Sequence, residues 1–244
     1  MPPEVSRTFK LLGFRFMQGY GLSESGPCLT VNPMDVKNKE ASIGLPIKGA
    51  QLKIVNADSR GIGQIVARGA MVMQGYYNNP EATAEVLKDG WLYTGDSGWV
   101  DNEGYYYIAG RLKNVIVSPA GKNVYPEEIE YELNKSPYIL ESLVLGRALE
   151  GQRGEEIEAV IVPDYEYFNS LSTETGQSFS TERIESTIKE EVQRLSSGLA
   201  EFKRVKYVRI REDEFEKTST KKIKRYLFTQ KAEPVESKGG RGRI

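Results

Sequence analysis

The 244 residues are 39% hydrophobic and 27% charged, with 33 basic against 34 acidic side chains and a net charge of -1, the balance of a soluble globular chain of one or two domains and no sign of a polyanionic partner for the chain as a whole. A single cysteine, Cys28, excludes an intramolecular disulfide framework and fits a reducing compartment, most simply the cytoplasm; the absence of histidine excludes Ser-His-Asp and Cys-His catalysis and any zinc site that needs imidazole. No apolar run is long enough to cross a bilayer and the opening MPPEVSRTFK lacks the apolar core of a signal peptide, so at most peripheral membrane contact is expected.

In chain order, QGYGLSESGP at 18 to 27 follows the apolar run LLGFRF. Glycines let backbone approach a ligand, hydroxyls and amides bond phosphate oxygens, and a carboxylate holds Mg²⁺; the same residues also make ordinary turns. QLKIV at 51 to 55 and QIVAR at 64 to 68 flank the turn-rich NADSRGIG and predict a β-hairpin. NPEATAEVLKDG at 79 to 90 predicts one short helix, with Pro80 in its first turn and Gly90 as its stop. GDSG within 93 to 99 resembles the nucleophile loop of trypsin-like proteases, but without histidine Ser97 has no base. YYYI at 105 to 108 and NVIV at 114 to 117 continue the β character.

Beyond residue 113, strands and helices alternate, which predicts a second, smaller α+β domain. YPEEIEYELNKSP predicts a helix from Pro126 that ends before Pro137, with Ile129 and Leu133 on one face. ILESLVLG and EIEAVIVP read as strands, and residues 164 to 180 as a polar surface insertion. Ser180 or Thr181 then caps a helix whose Ile184, Ile188, Val192 and Leu195 form a core-packing stripe. The tail AEPVESKGGRGRI has no apolar periodicity and is expected to be disordered.

Five stretches stand in one order: QGYGLSESGP, GQIVARGAMVMQGYYNNPEAT (63 to 83), GWLYTGDSGWV (90 to 100), GYYYIAGRLKNVIVSPAGKNVYPEEIE (104 to 130) and EKTSTKKIKR (216 to 225). Together they resemble the later motifs of the adenylate-forming superfamily of acyl-CoA synthetases, peptide-synthetase adenylation domains and luciferases. The likeness is greatest to the C-terminal half of a long-chain fatty-acid-CoA ligase. It covers about residues 5 to 228 and implies an α+β protein in two parts. Residues 1 to 110 would be a β-rich remnant of the large AMP-binding domain, 111 to 113 a hinge, 114 to 229 a lid, and 230 to 244 the tail.

The resemblance implies roles for single residues. In the loop that contains Gly21, Tyr20 would stack on adenine, Ser23 would bond the α-phosphate and Glu24 would hold Mg²⁺; most members have threonine where Ser23 stands. Asp96 would accept both ribose hydroxyls and Arg111 would reach the ribose or phosphates, with a turn aspartate and a surface cation as the plain alternatives. Lys113 would be the hinge whose backbone swings the lid. Gly121 would leave room for the pantetheine of CoA, although Pro119 and Lys122 depart from the commoner glycine-rich form. Lys222 matches the catalytic lysine. Glu216 and Lys221 stand where the family has proline and glycine, and Lys221 is a rival neighbour. Loss of Lys222 would cost about 10²- to 10³-fold in rate. The plain alternative is a solvated basic strip formed by Lys217, Lys221, Lys222, Lys224 and Arg225.

The activity implied is formation of acyl-AMP from a fatty acid and ATP with Mg²⁺, then transfer to CoA; an acyl carrier protein is the alternative acceptor. The family's Ser/Thr/Gly-rich phosphate loop ending in Pro-Lys-Gly is not found in these residues. The chain is therefore expected to be a C-terminal fragment, inactive alone. It would dimerise through exposed apolar surface, depend on a partner that carries the missing half, or be only partly ordered over residues 1 to 110. A subunit of a split enzyme and a non-catalytic binding module are the remaining readings. No nucleic acid is expected, since no aromatic platform interleaves the basic cluster.

Overall fold

The computed structural model describes residues 3–34, 37–149, 151, 153–228 and 242–243. These form two compact units that divide after Lys113, Met1–Lys113 and Asn114–Ile244, each a mixture of strands and helices.

The first unit opens with α1 (Pro3–Leu11), followed by β1 (Gly19–Tyr20), β2 (Thr30–Val31) and β3 (Leu45–Pro46), a small antiparallel sheet in that order. Next come β4 (Gln51–Val55), β5 (Gly63–Arg68), α2 (Pro80–Val86), β6 (Leu87–Lys88), β7 (Trp91–Val100) and β8 (Tyr106–Arg111). The strands form an antiparallel sheet in the order β4-β5-β7-β6, with β8 also paired to β7. The predicted hairpin is present, Gln51 opposite Arg68 and Val55 opposite Gln64. Alternate positions point inward, so Leu52 and Ile54 pack with Ile65, Tyr106 and Ile108 in the core of this unit.

The predicted helix over 79 to 90 is shorter and ends differently. Asn79 caps α2, its side chain accepting the Ala82 N–H at 3.0 Å, and Pro80 lies in the first turn. The helix stops at Val86, and Leu87–Lys88 turn back as β6 onto Trp91 and Leu92. Gly90 is not a helix stop. Asp89 and Gly90 both take positive φ, +52° and +75°, the pair that a tight two-residue hairpin requires. The Asp-Gly dipeptide is the sequence signal for it.

The second unit begins with the hairpin of β9 (Ile116–Val117) and β10 (Asn123–Val124), then α3 (Pro126–Leu133), β11 (Ile139–Ala148), β12 (Glu155–Pro163), α4 (Tyr165–Thr175), α5 (Thr181–Ser197), β13 (Tyr207–Ile210) and β14 (Gly242–Arg243). The main sheet runs β11-β12-β13-β14; β12 and β13 are parallel and the other pairs antiparallel. A parallel pair needs a long crossover, and α4 and α5 supply it. Ile157, Ala159 and Ile161 of β12 face the cluster with Ile129, Leu133, Ile184, Ile188 and Val192. Val160 and Val162 face Leu143, Leu145 and Phe215 on the other side. Burial on both faces accounts for the unbroken apolar run in β12.

Residues 164 to 180 are not a polar insertion. Asp164 caps α4 by accepting the Tyr167 N–H at 2.9 Å, and Phe168 is buried against Tyr138 and Phe179. Helix-favouring caps and one aromatic anchor outweigh the polar composition. The α5 stripe is core, as the periodicity predicts, with Ser180 as its cap. Of the tail, Gly242–Arg243 pair with β13; the rest of the expectation for 230 to 244 lies outside the described residues.

Candidate functional site

Three residues from distant parts of the sequence meet in the first unit. Asp96 and Arg111 are opposite one another in the β7/β8 register, so the antiparallel ladder itself brings carboxylate and guanidinium together. The Arg111 Nε lies 2.9 Å from Asp96 Oδ1, and an Arg111 terminal nitrogen donates to Thr94 O at 3.2 Å. Tyr20, at the end of β1, donates its hydroxyl to Asp96 Oδ2 at 2.6 Å. Asp96 is buried and Arg111 is partly exposed. Burial first, and then the Asp96 charge, push the Tyr20 phenol above its ordinary range. The Tyr20 phenol therefore stays neutral at pH 7 and acts as a hydrogen-bond donor to Asp96, which also faces the Arg111 side chain.

Local backbone sets this up. Gly95 takes φ +72° immediately before Asp96, and the Asp96 N–H donates to Thr94 Oγ1 at 3.1 Å while that hydroxyl donates to Ile65 O at 2.7 Å. Ser97, the residue of the protease-like GDSG, is fully buried with its hydroxyl donating to Gly63 O at 3.3 Å. Its role is to tie β7 to β5.

The loop after Tyr20 folds back on itself. Gly21 has to be glycine, since a Cβ there would overlap the Pro27 carbonyl. Ser23, Glu24 and Ser25 form one 3₁₀ turn, closed by the Ser25 hydroxyl, which accepts the Leu22 N–H at 2.9 Å. Ser23 is exposed. Glu24 accepts the Tyr76 hydroxyl at 2.9 Å, and its carbonyl accepts the Met73 N–H at 2.8 Å. That bond to Glu24 is also what raises the Tyr76 phenol above its ordinary value. Sequence reasoning does not single out Tyr76, although it lies within the QGYYNNPEAT stretch. Among the described residues no group of three or more His, Cys, Asp or Glu side chains could hold a metal ion. A lone carboxylate beside an exposed hydroxyl suits a Mg²⁺ held mainly by ligand phosphates.

Lys113 is exposed and lies in the 3₁₀ turn Leu112–Asn114. In the second unit, Gly121 takes φ +71° in the turn between β9 and β10, its N–H donating to Ser118 O at 2.8 Å. A Cβ at Gly121 would meet no atom of this chain within 4 Å, so within the chain it is the positive φ that calls for glycine. Beside it, the Lys122 ammonium lies 4.7 Å from the centre of the Phe202 ring.

Lys222 sits at the tip of a hairpin in which Lys217 opposes Ile223 and Thr218 exchanges bonds with Lys222. Lys221 and Lys222 are exposed there. A uniform basic strip does not form. Lys217 pairs with Glu141 and Glu214, and Arg225 turns inward onto Glu130 and Val144. Burial pushes Glu130 up to about 7, opposed by Arg225 and by the Val144 N–H. Lys222 and Gly121 thus occupy separate turns of the second unit, while Tyr20, Asp96 and Arg111 share one cluster in the first.

A model of the AMP-binding enzyme family matches residues 1–77. The long-chain-fatty-acid–CoA ligase of Bacillus subtilis (strain 168) is 41% identical over 169 residues, 66% of this chain and 30% of that protein. The indoleacetate–CoA ligase of Aromatoleum aromaticum is 41% identical over 169 residues, 67% of this chain and 33% of that protein. The chain thus spans about a third of the length of these curated relatives. Among solved structures, the Bacillus subtilis O-succinylbenzoate coenzyme A synthetase in complex with ATP and magnesium ion superposes with a TM-score of 0.73 at 25% identity, over 93% of this chain and 44% of that one.

Proposed function

The chain belongs to the adenylate-forming, AMP-binding enzymes, and on that premise we propose that it supplies the nucleotide-facing loops and the lid of an acid–CoA ligase acting on long-chain fatty acids. The observation that carries this reading is the meeting of Tyr20, Asp96 and Arg111. In the reaction, a carboxylate oxygen of the acid attacks the α-phosphorus of ATP and the bond to pyrophosphate breaks. The CoA thiol then attacks the acyl carbon and AMP leaves. Tyr20 would face adenine, and Asp96 would take the ribose hydroxyls in competition with Tyr20 and Arg111, its present partners. Ser23 would bond the α-phosphate, and Lys222 would stabilise the charge that develops there. Glu24 would hold Mg²⁺, whose charge offsets that of the phosphates. Lys113 would be the hinge and Gly121 the passage for pantetheine.

Nucleotide contact by the chain itself is weak in this reading, and adenylation is absent, because the Ser/Thr/Gly-rich phosphate loop is not among these residues. AMP at millimolar concentration should slow hydrogen exchange around Asp96 and not in the Asp96→Ala variant; equal exchange with and without AMP would remove the nucleotide role. Pyrophosphate exchange into ATP by the chain alone should be undetectable, and a measurable rate would overturn the expected inactivity. The acid is read as long-chain from the fatty-acid ligase relatives. In the full-length protein, hexadecanoate should outcompete indoleacetate for thioester formation, with CoA preferred over acyl carrier protein as acceptor. A cytoplasmic setting belongs to the same reading and is supported by the single cysteine.

A further inference from the structure

The two arms that carry the Thr218–Lys222 tip are tied to the sheet by side chains for which the ligase reading has no use. On the return arm, one terminal nitrogen of Arg225 donates to Val144 O at 3.0 Å and the other pairs with Glu130. The same Glu130 oxygen accepts the Val144 N–H at 2.7 Å. Guanidinium, carboxylate and the Val144 peptide groups therefore close a ring that joins the return arm to α3 and β11. Only 16% of the Arg225 side chain and 15% of the Glu130 side chain are exposed. On the outgoing arm, Lys217 pairs with Glu141 of β11, and the Phe215 N–H donates to the other oxygen of Glu141 at 3.1 Å. Phe215 and Phe228 then meet edge to face, 5.1 Å between centroids, against Leu143, Leu145, Val160 and Val162.

We propose that Arg225 and Glu130 are positioning residues for Lys222, fixing the direction in which the hairpin tip presents its ammonium. The proposal rests on the reading of Lys222 as the lysine that meets the α-phosphate as the acyl-adenylate forms. A buried ion pair is a poor device for bulk stability, since apolar contacts of equal volume stabilise as well. What it adds is geometry. A guanidinium that donates to two acceptors at once admits one orientation, which a single ammonium does not. The outgoing arm is held by its own contacts to Glu141, so a tip with both stems fastened cannot pivot. Lys224, next to Arg225, takes no such part: its backbone N–H bonds Glu216 O at 2.8 Å across the hairpin.

The test is hydrogen exchange with mass spectrometry on the 244-residue protein, alongside acetylation of its lysines by N-hydroxysuccinimide acetate. Arg225→Ala should raise exchange of amides in 217 to 224 by about tenfold or more while β11 and β12 keep their protection, and Arg225→Lys should fall between. The ratio of Lys222 to Lys221 acetylation should shift with it. General destabilisation, acting on all lysines alike, would leave that ratio unmoved. Unchanged hairpin exchange in Arg225→Ala, or an equal loss of protection throughout the second unit, would overturn the proposal. If Arg225→Ala does not fold, Arg225→Lys and Glu130→Gln serve instead: local loosening of the hairpin upholds the proposal, and unchanged or uniformly raised exchange overturns it. Loosening as expected, combined with full adenylation by a Lys222→Ala variant of the full-length protein, would uphold the clamp and sink the catalytic reading of Lys222.

Discussion

Lys221 holds a φ of +58° at the last position of the hairpin loop, where a side chain is strained and glycine is at ease. Lys221→Gly is therefore expected to stabilise the second unit by about 1 kcal/mol, read from its urea midpoint. Lower stability would mean that the lysine side chain makes contacts worth more than the strain. A second residue-scale prediction concerns Asp101. The bond from Lys39 chiefly, helped by the N–H groups of Tyr105 and Glu103, holds the Asp101 carboxyl down to about 2. Because its pKa is lower folded than unfolded, what it contributes is present at neutral pH and lost as the pH falls from about 4 toward 2. Exchange of the Tyr105 amide should rise in that window and not in Asp101→Asn, which has no charge to lose. A flat wild-type profile there would contradict this. Sequence alone flags Lys221 as a departure from the family pattern but not the strain, which depends on a backbone angle. Nor could it show that Tyr76 meets Glu24 or that Arg225 reaches Glu130, 52 and 95 positions apart.

Secondary-structure elements are legible where periodicity and caps agree. The β4–β5 hairpin, α3 and α5 each carry an apolar pattern of one period bounded by turn or cap residues. The α4 helix does not: its one fully buried side chain is Phe168, and the surrounding Ser, Thr and Glu residues resemble a loop. Replacing that anchor decides whether α4 is core or ornament. Phe168→Ala should cost about 3–5 kcal/mol by chemical denaturation, whereas a surface insertion would tolerate it within a fraction of that. Asp89-Gly90 is ambiguous for another reason. The helix signals upstream are sound, but a glycine after a helix serves as a stop or as half of a hairpin turn, and only the pairing of Lys88 with Trp91 distinguishes them.

At the scale of the molecule, each unit has its own core, and residues 114 to 228 contain all of the larger one. That stretch expressed alone should unfold in one cooperative thermal transition; a broad, non-cooperative melt would show that its core is incomplete. The first unit is different, because α1 and the residues after it leave Leu11, Leu12, Phe14 and Met17 between 52% and 83% exposed. Surface of that kind favours association. Leu11→Glu combined with Phe14→Glu should lower the mass measured by light scattering at high protein concentration. The α+β architecture in two parts is readable from the order of the motifs. The partners of that apolar surface are not, because an exposed side chain carries no mark of what would cover it.

The segment from Phe215 to Phe228 has two duties at once: its tip presents a lysine, and its stems roof the second face of the β11–β12 sheet. Evolvability is therefore split along this short segment. Libraries randomised at Ser219, Thr220 and Lys221 should return folded protein at high frequency, whereas randomising Phe215, Arg225 or Phe228 should return mostly aggregates. A laboratory seeking to retune such a lysine would do well to leave the roof beams alone.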